Sequence, residues 1–225
     1  EAPSHEEVRA LTPFVGASGK FLDMMLRDAG INRADCWVTN VCKYPVPPSA
    51  KDDRIPFWVR AKLAGISYED CINEIRTEVL QIKPNLIIAL GGTAFTALTG
   101  KKPISSWRGS ITSSFGLIKT IGTYHPAHIL HSEGDVTGYW AKQILAFDLK
   151  RAKAQSLFPE IQLPKRLLQV CKSSYELHEF LARYKGYSYP SIDIEAAGTC
   201  LPSCIGIAFT KSHGIAIPLF DQTMS

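Results

Sequence analysis

The residues best placed to do chemistry fall into two groups. The first joins a short N-terminal stretch to a distant histidine. Glu1 opens Glu1-Ala2-Pro3-Ser4, Glu7 follows it, and Phe14 lies between Pro13 and Gly16. Asn40 closes Trp37-Val38-Thr39-Asn40, and His125 leads His125-Pro126-Ala127. A loop that holds a carboxylate, an aromatic face and a helix N-terminus can build a small polar pocket. The second group is Asp193 and Glu195 in Ser191-Ile192-Asp193-Ile194-Glu195. On a strand they share one face, because side chains alternate, and two carboxylates on one side can hold Mg²⁺. Each residue also has a plainer reading. Phe14 can be a hydrophobic residue under a loop, Asn40 a turn residue, His125 a structural histidine before proline, and Glu7 a solvated carboxylate at a helix start. Asp193 and Glu195 can be a solvated pair. His128 and His131 read as surface residues, and Lys101, Lys102 and Arg108 as either a solvated rim or phosphate contacts.

Periodicity supplies the elements that must position these groups. Residues 19–29 read as a helix with Ser18 at its start and Gly30 as its C-cap. Residues 36–41, β-branched and aromatic, read as a strand ending at Asn40. Residues 44–55 are a proline-rich loop, and 67–82 a helix capped by Ser67 with Cys71, Ile75, Val79 and Ile82 on its apolar face. Residues 85–90 have the apolar run of a buried parallel strand. Gly91-Gly92-Thr93 then turns into a short helix at 94–98. It lacks the spacing and lysine of a phosphate-binding loop, so close strand–helix packing explains the glycines better. Residues 101–116 read as a basic loop, 118–123 as a strand with His125 at its carboxyl end, and 139–154 as a long helix. Repeated strand–helix alternation predicts a parallel sheet covered by helices, with ligands beyond the carboxyl ends of its strands.

A linker is expected at 156–165, where prolines recur and core positions are few. Beyond it, a helix at 173–184 and strands at 189–194, 204–209 and 214–219 suggest a second unit. Its sixty or so residues are few for an independent core. The net charge of +4 permits a nucleic-acid partner without demonstrating one. The cysteines are Cys36, Cys42, Cys71, Cys171, Cys200 and Cys204. No Cys-x-x-Cys pair occurs, which favours reduced, buried thiols of a cytoplasmic protein over a disulfide scaffold. The longest apolar run, Leu86–Leu90, is far short of the ~20 residues of a membrane span, and no signal peptide is visible. Glu1 begins inside a motif and residues 221–225 follow a strand, so the sequence reads as an internal stretch of a longer polypeptide whose first sheet strand precedes Glu1.

The ordered set Glu1-Ala2-Pro3-Ser4, Pro13-Phe14-Val15-Gly16, Asn40-Val41 and His125-Pro126-Ala127 resembles the uracil-DNA glycosylase superfamily, and most of all its family 4 group. The resemblance covers roughly residues 1–155. Ser4 departs from it, standing where the family usually has glycine. The resemblance implies a three-layer α/β/α sandwich around a central parallel sheet, and hydrolysis of the N-glycosidic bond of uracil flipped out of DNA. Phe14 would stack on the base, with the Ala2 backbone beside it. Asn40 would read the uracil edge through one donor and one acceptor. His125 would stabilise charge developing on the departing uracil. Glu1 would position the hydrolytic water or the sugar, with Glu7 helping to hold that water. His128, Ile129 and Leu130 would press into the DNA from a loop, and Lys101 and Arg108 would meet phosphates. Base excision itself needs no cofactor.

The family 4 group also carries a [4Fe-4S] cluster on four cysteines. Cys71 matches the fourth position. Tyr44 occupies the third, with Cys42 displaced by two residues, and the first two positions precede the first motif. Residues 166–225, with Asp193-x-Glu195 followed by two apolar strands, resemble the start of a DEDD-type 3′–5′ proofreading exonuclease of ribonuclease H-like α/β fold. There Asp193 and Glu195 would bind Mg²⁺ together with later acidic residues. Jointly the resemblances imply part of a polymerase I-like, phage-type DNA polymerase. It would act on uracil-containing DNA, single- or double-stranded, in the cytoplasm of a bacterial or phage-infected cell, with the polymerase domain downstream. The alternative is a catalytically weak module that senses uracil or grips DNA without cutting.

Overall fold

Residues 87–90, Ile-Ile-Ala-Leu, alternate between two apolar environments. Ala89 is buried with Val41, Ile75, Val79, Ala94, Phe95 and Leu98, while Ile88 and Leu90 pack on the side of Leu22, Met25, Leu26, Leu145 and Leu149. A strand that is apolar on both faces needs helices on both sides, so this part of the chain is built in three layers. The computed structural model describes residues 2–48, 55–132, 134, 136–162, 165–196 and 201–219. The chain divides into two compact units, Glu1–Ile161 and Gln162–Ser225.

In chain order the first unit runs α1 (His5–Ala10), α2 (Ala17–Asp28), a 3₁₀ turn (Arg33–Asp35), α3 (Phe57–Leu63), α4 (Tyr68–Ile82), β1 (Ile87–Leu90), α5 (Gly92–Thr99), α6 (Ile104–Trp107), β2 (Ile111–Ser114), β3 (Ile118–Thr123), α7 (Pro126–His131) and α8 (Val136–Gln155). The sheet order is β1-β3-β2, with β1 parallel and β2 antiparallel to β3. The central sheet is therefore mixed, not wholly parallel. The basic loop expected at 101–116 holds both α6 and β2. Its strand escapes an apolar pattern because its buried residues are polar. Thr112 Oγ1 donates to Thr120 O at 3.2 Å, and the Ser114 and Thr120 hydroxyls lie 2.7 Å apart. Lys119 is fully buried on β3, and its ammonium donates to the carbonyls of Phe158 (2.6 Å) and Glu160 (3.0 Å).

The strand expected at 36–41 does not form. A strand needs a hydrogen-bonded neighbour. Residues 36–39 instead line a cavity of about 500 Å³ whose far side includes all of β1 together with Leu22, Ile75, Val79 and Leu149. The segment expected to follow His125 as a loop is helix α7, with Pro126 at the first helical position, where its missing N–H costs nothing.

The second unit comprises β4 (Leu167–Val170), α9 (Ser174–Arg183), β5 (Ser191–Ala196), β6 (Pro202–Ala208) and β7 (His213–Pro218). Its sheet order is β4-β7-β6-β5; the last three strands form an antiparallel meander and β4 runs parallel to β7. Phe180 of α9 is buried against Phe209, Tyr184 and His213. β4 lies at the margin of the expected linker and was not foreseen. A ribonuclease H-like fold for this unit remains an expectation.

Candidate active site

The N-terminal stretch is held by a carboxylate. Ser4 caps α1: its hydroxyl accepts from the Glu7 amide at 3.3 Å, and Glu7 Oε2 accepts from the Ser4 amide at 2.6 Å. The other oxygen, Oε1, accepts from the Phe14 amide. Burial pushes the Glu7 carboxyl up, but the Ser4 and Phe14 amides outweigh it and hold the group below the usual carboxylate range. Glu7 thus shapes the loop, with both oxygens engaged by backbone amides. Glu1 lies outside the described residues. Ala2 is half-buried at the start of the stretch.

Phe14 sits in the left-handed region at φ 59°. A Cβ on Gly19 would lie 1.7 Å from the Phe14 carbonyl oxygen, so the loop can close on α2 only at a residue without a side chain. Arg33, which sequence reasoning passed over, bridges Pro13 O (3.0 Å) and Asp23 Oδ1 (2.7 Å). The result is a fixed ring: the Phe14 and His125 centroids are 5.7 Å apart at an interplanar angle of 29°.

His125 is the N-cap of α7, and its Nδ1 accepts from the Ala127 amide at 3.1 Å. A nitrogen that accepts cannot carry the proton, so this bond selects the neutral tautomer with hydrogen on Nε2. The ring is thereby fixed as a donor at Nε2. Its loop follows directly from β3, whose last residue, Thr123, accepts at its backbone oxygen from the Gly91 amide at 2.8 Å.

Asn40 is half-buried on the segment that lines the cavity. No ladder positions that segment; Glu78 of α4 does. Glu78 accepts from Trp37 Nε1, from Thr39 Oγ1 at 3.3 Å, and from Lys43 Nζ, which also donates to Thr39. Burial pushes the Glu78 carboxyl up, but Lys43 and Trp37 more than compensate and hold it below the ordinary range. Neither Glu78 nor Lys43 was singled out from sequence.

The expected DNA-facing residues divide. His128 is exposed and Leu130 half-buried, but Ile129 is 4% exposed in the core between α2 and α8, because helix α7 turns it inward. It cannot press into DNA. Arg108 is committed to a fully buried carboxylate, Asp148, at 2.9 and 3.2 Å, so a role as a phosphate contact is not supported. Lys101 lies over the Trp107 ring, 4.2 Å from its centroid.

Cys71 and Cys42 are both fully buried, the Cys42 thiol donating to Tyr44 O at 3.3 Å; burial and the neighbouring Cys42 push the Cys71 thiol up to about 12. Tyr44 turns outward to Glu74 Oε1 at 2.8 Å, so Cys42, not residue 44, faces Cys71. Cys36 is occupied elsewhere, with its thiol on Asn32 O at 3.4 Å. Among the described residues no group of three or more His, Cys, Asp or Glu side chains could hold a metal. The described cysteines therefore do not by themselves fit a four-thiolate cluster. In the second unit, Asp193 and Glu195 lie exposed on β5, opposite Gly206 and Cys204 of β6.

Residues 1–150 match the family described as the Uracil DNA glycosylase superfamily. The chain is similar to the type-4 uracil-DNA glycosylase of Thermotoga maritima, with 31% identity over 156 residues, which cover 68% of this chain and 73% of that protein. It is 32% identical over 139 residues to the enzyme of the same name from Archaeoglobus fulgidus, covering 58% and 64% of the two chains. A third relative, from Pyrobaculum aerophilum, is 29% identical over 157 residues, covering 65% and 73%. Among the described residues no helix is long and apolar enough to cross a membrane.

Proposed function

The chain belongs to the uracil-DNA glycosylase superfamily, and from that premise we propose that its first unit hydrolyses the N-glycosidic bond of uracil flipped out of DNA. The observation that carries the proposal is the pairing of Phe14 with His125, the latter fixed by Ala127 as an Nε2 donor. As the bond breaks, electrons pass to the uracil and the sugar becomes oxocarbenium-like. A neutral imidazole N–H aimed at a uracil oxygen is worth more in that state than in the ground state. Phe14 offers its face to the base, and Asn40 one donor and one acceptor to the uracil edge. Cytosine, whose exocyclic amine inverts the pattern, would be rejected. His128, Leu130 and Lys101 remain candidates for DNA contact.

His125→Ala tests the reading. Removing one such donor is expected to lower uracil release from a labelled oligonucleotide about 10²–10³-fold. Equal background release by the wild-type chain and the variant would rule the enzyme out. A second reading, a module that binds uracil-DNA without cutting, is favoured by Glu7: amides engage both its oxygens, leaving the water-holding role to Glu1. Tight binding of uracil-DNA with no base release would support that reading.

For the second unit we propose the beginning of a 3′–5′ exonuclease that follows the glycosylase unit within a DNA polymerase. The supporting observation is that Asp193 and Glu195 share a β5 face, with the small residues Gly206 and then Ala216 across the sheet from Asp193 and Cys204 across from Glu195. Mg²⁺ held by these carboxylates and others would stabilise the attacking and leaving oxygens of phosphodiester hydrolysis. In a protein carrying this unit with the further acidic residues, Mg²⁺-dependent 3′-end degradation should be lost in Asp193→Ala, and its retention there would refute the assignment.

A further inference from the structure

Asp148 is a fully buried carboxylate on the face of α8 that also carries Leu145 and Leu149. A charge in that setting must be matched by donors. Two residues from other elements provide them. Arg108, just after α6, donates through Nη1 to both carboxylate oxygens at 2.9 and 3.2 Å. Thr123, the last residue of β3, donates its hydroxyl to Oδ2 at 2.8 Å. The adjoining backbone is tied into the same knot. Gly109 donates to Gly122 O at 2.8 Å, and Gly91 to Thr123 O at 2.8 Å. Gly109 has φ +68°, and a Cβ there would stand 2.6 Å from Asp148 Oδ1, so the carboxylate occupies the space of a side chain.

The Thr123, Gly109 and Gly91 bonds converge where β3 ends, two residues before His125. The Thr123 hydroxyl is the one side-chain group in this knot that belongs to the strand leading into the histidine loop. We propose that Asp148 and Arg108 are positioning residues for excision, acting through Thr123 to fix the pose of the His125 imidazole. The proposal rests on the glycosylase reading of the site. Neither residue touches the base; they set the direction of a ring that does. A fixed donor matters because a misplaced catalytic group loses much of its effect over a distance of about 1 Å.

The test separates positioning from mere stability. Thr123→Val removes the hydroxyl and keeps the shape, whereas Thr123→Ser keeps the hydroxyl. Single-turnover uracil release should fall about tenfold in the valine variant with KM for uracil-DNA within about twofold of wild type, and the serine variant should restore the rate. In parallel, ¹⁵N NMR of the His125 ring should show shifted Nδ1 and Nε2 resonances in Thr123→Val and Asp148→Asn but not in Thr123→Ser. Unchanged ring resonances and rate in folded valine and asparagine variants would overturn the proposal. If the valine variant does not fold, Asp148→Asn carries the same two readouts. The NMR arm does not require activity. Loss of the glycosylase reading, shown by an inert wild type, is therefore distinguishable from loss of the clamp.

Discussion

The two halves of the candidate site are anchored by carboxylates in opposite ways. His125 hangs from a strand in the middle of a ladder, and the carboxylate behind it, Asp148, is fully buried. Asn40 rides on a segment with no ladder, beside a cavity, and its anchor, Glu78, has a side chain 19% exposed. Their titration differs in sign. Burial wins at Asp148 and pushes its carboxyl up despite Thr123 and Arg108, whereas the donors win at Glu78 and pull it down. The half that holds the proposed charge-stabilising group is therefore rigid by backbone, and the half that would read the base edge is rigid only through side chains.

Removing the cation from each anchor should expose that difference most sharply. Arg108→Met leaves a buried carboxylate with only Thr123 as side-chain donor and should cost about 3–5 kcal/mol in denaturant unfolding. Phe14→Ala should weaken binding to an oligonucleotide carrying an uncleavable uracil analogue by about 1–3 kcal/mol, the range for one base–aromatic stack. Lys43→Met should cost only about 1 kcal/mol, because Trp37, Thr39 and water still serve Glu78. An equal loss in the arginine and lysine variants would erase the contrast between the two anchors. The gentlest probe is pH. Glu78 has a depressed folded-state pKa, so its contribution is full above the ordinary carboxylate value and is lost as pH falls through the folded value. Asp148 has a raised one, so acidification relieves the burial penalty there. Amide protection factors, corrected for the intrinsic slowing of exchange in acid, should thus fall in residues 37–43 before they do in 121–125 as pH drops through that window.

Much of this could be read from residue order, though not the supports. The strand at 118–123 and the Ser67-capped helix followed from run length and capping chemistry, whereas Phe14, Asn40 and His125 were put forward by the family resemblance of the ordered motifs. The strand 111–114 was missed because Thr112 and Ser114, its polar members, are the buried ones, satisfied by Thr120 across the ladder. Ile129 was misplaced because the family resemblance put it on a loop, whereas Pro126 is a good first residue for the helix that forms there. Glu78, Lys43 and Asp148 carry no signal in the sequence, and Arg108 reads there as a rim charge or a phosphate contact. Their importance lies in partners 35 to 40 residues away, which local pattern does not encode.

The cavity beside β1 also has a consequence in molar volume. A native state with about 500 Å³ of partly open, mostly apolar-lined space in one place packs less densely there than protein interiors usually do. Unfolding that recovers such space shrinks the system, and hydrostatic pressure favours the smaller state. Under compression the Asn40 side should yield while β3 and the His125 loop still hold. Pressure would then separate the part that would recognise the base from the part that would release it.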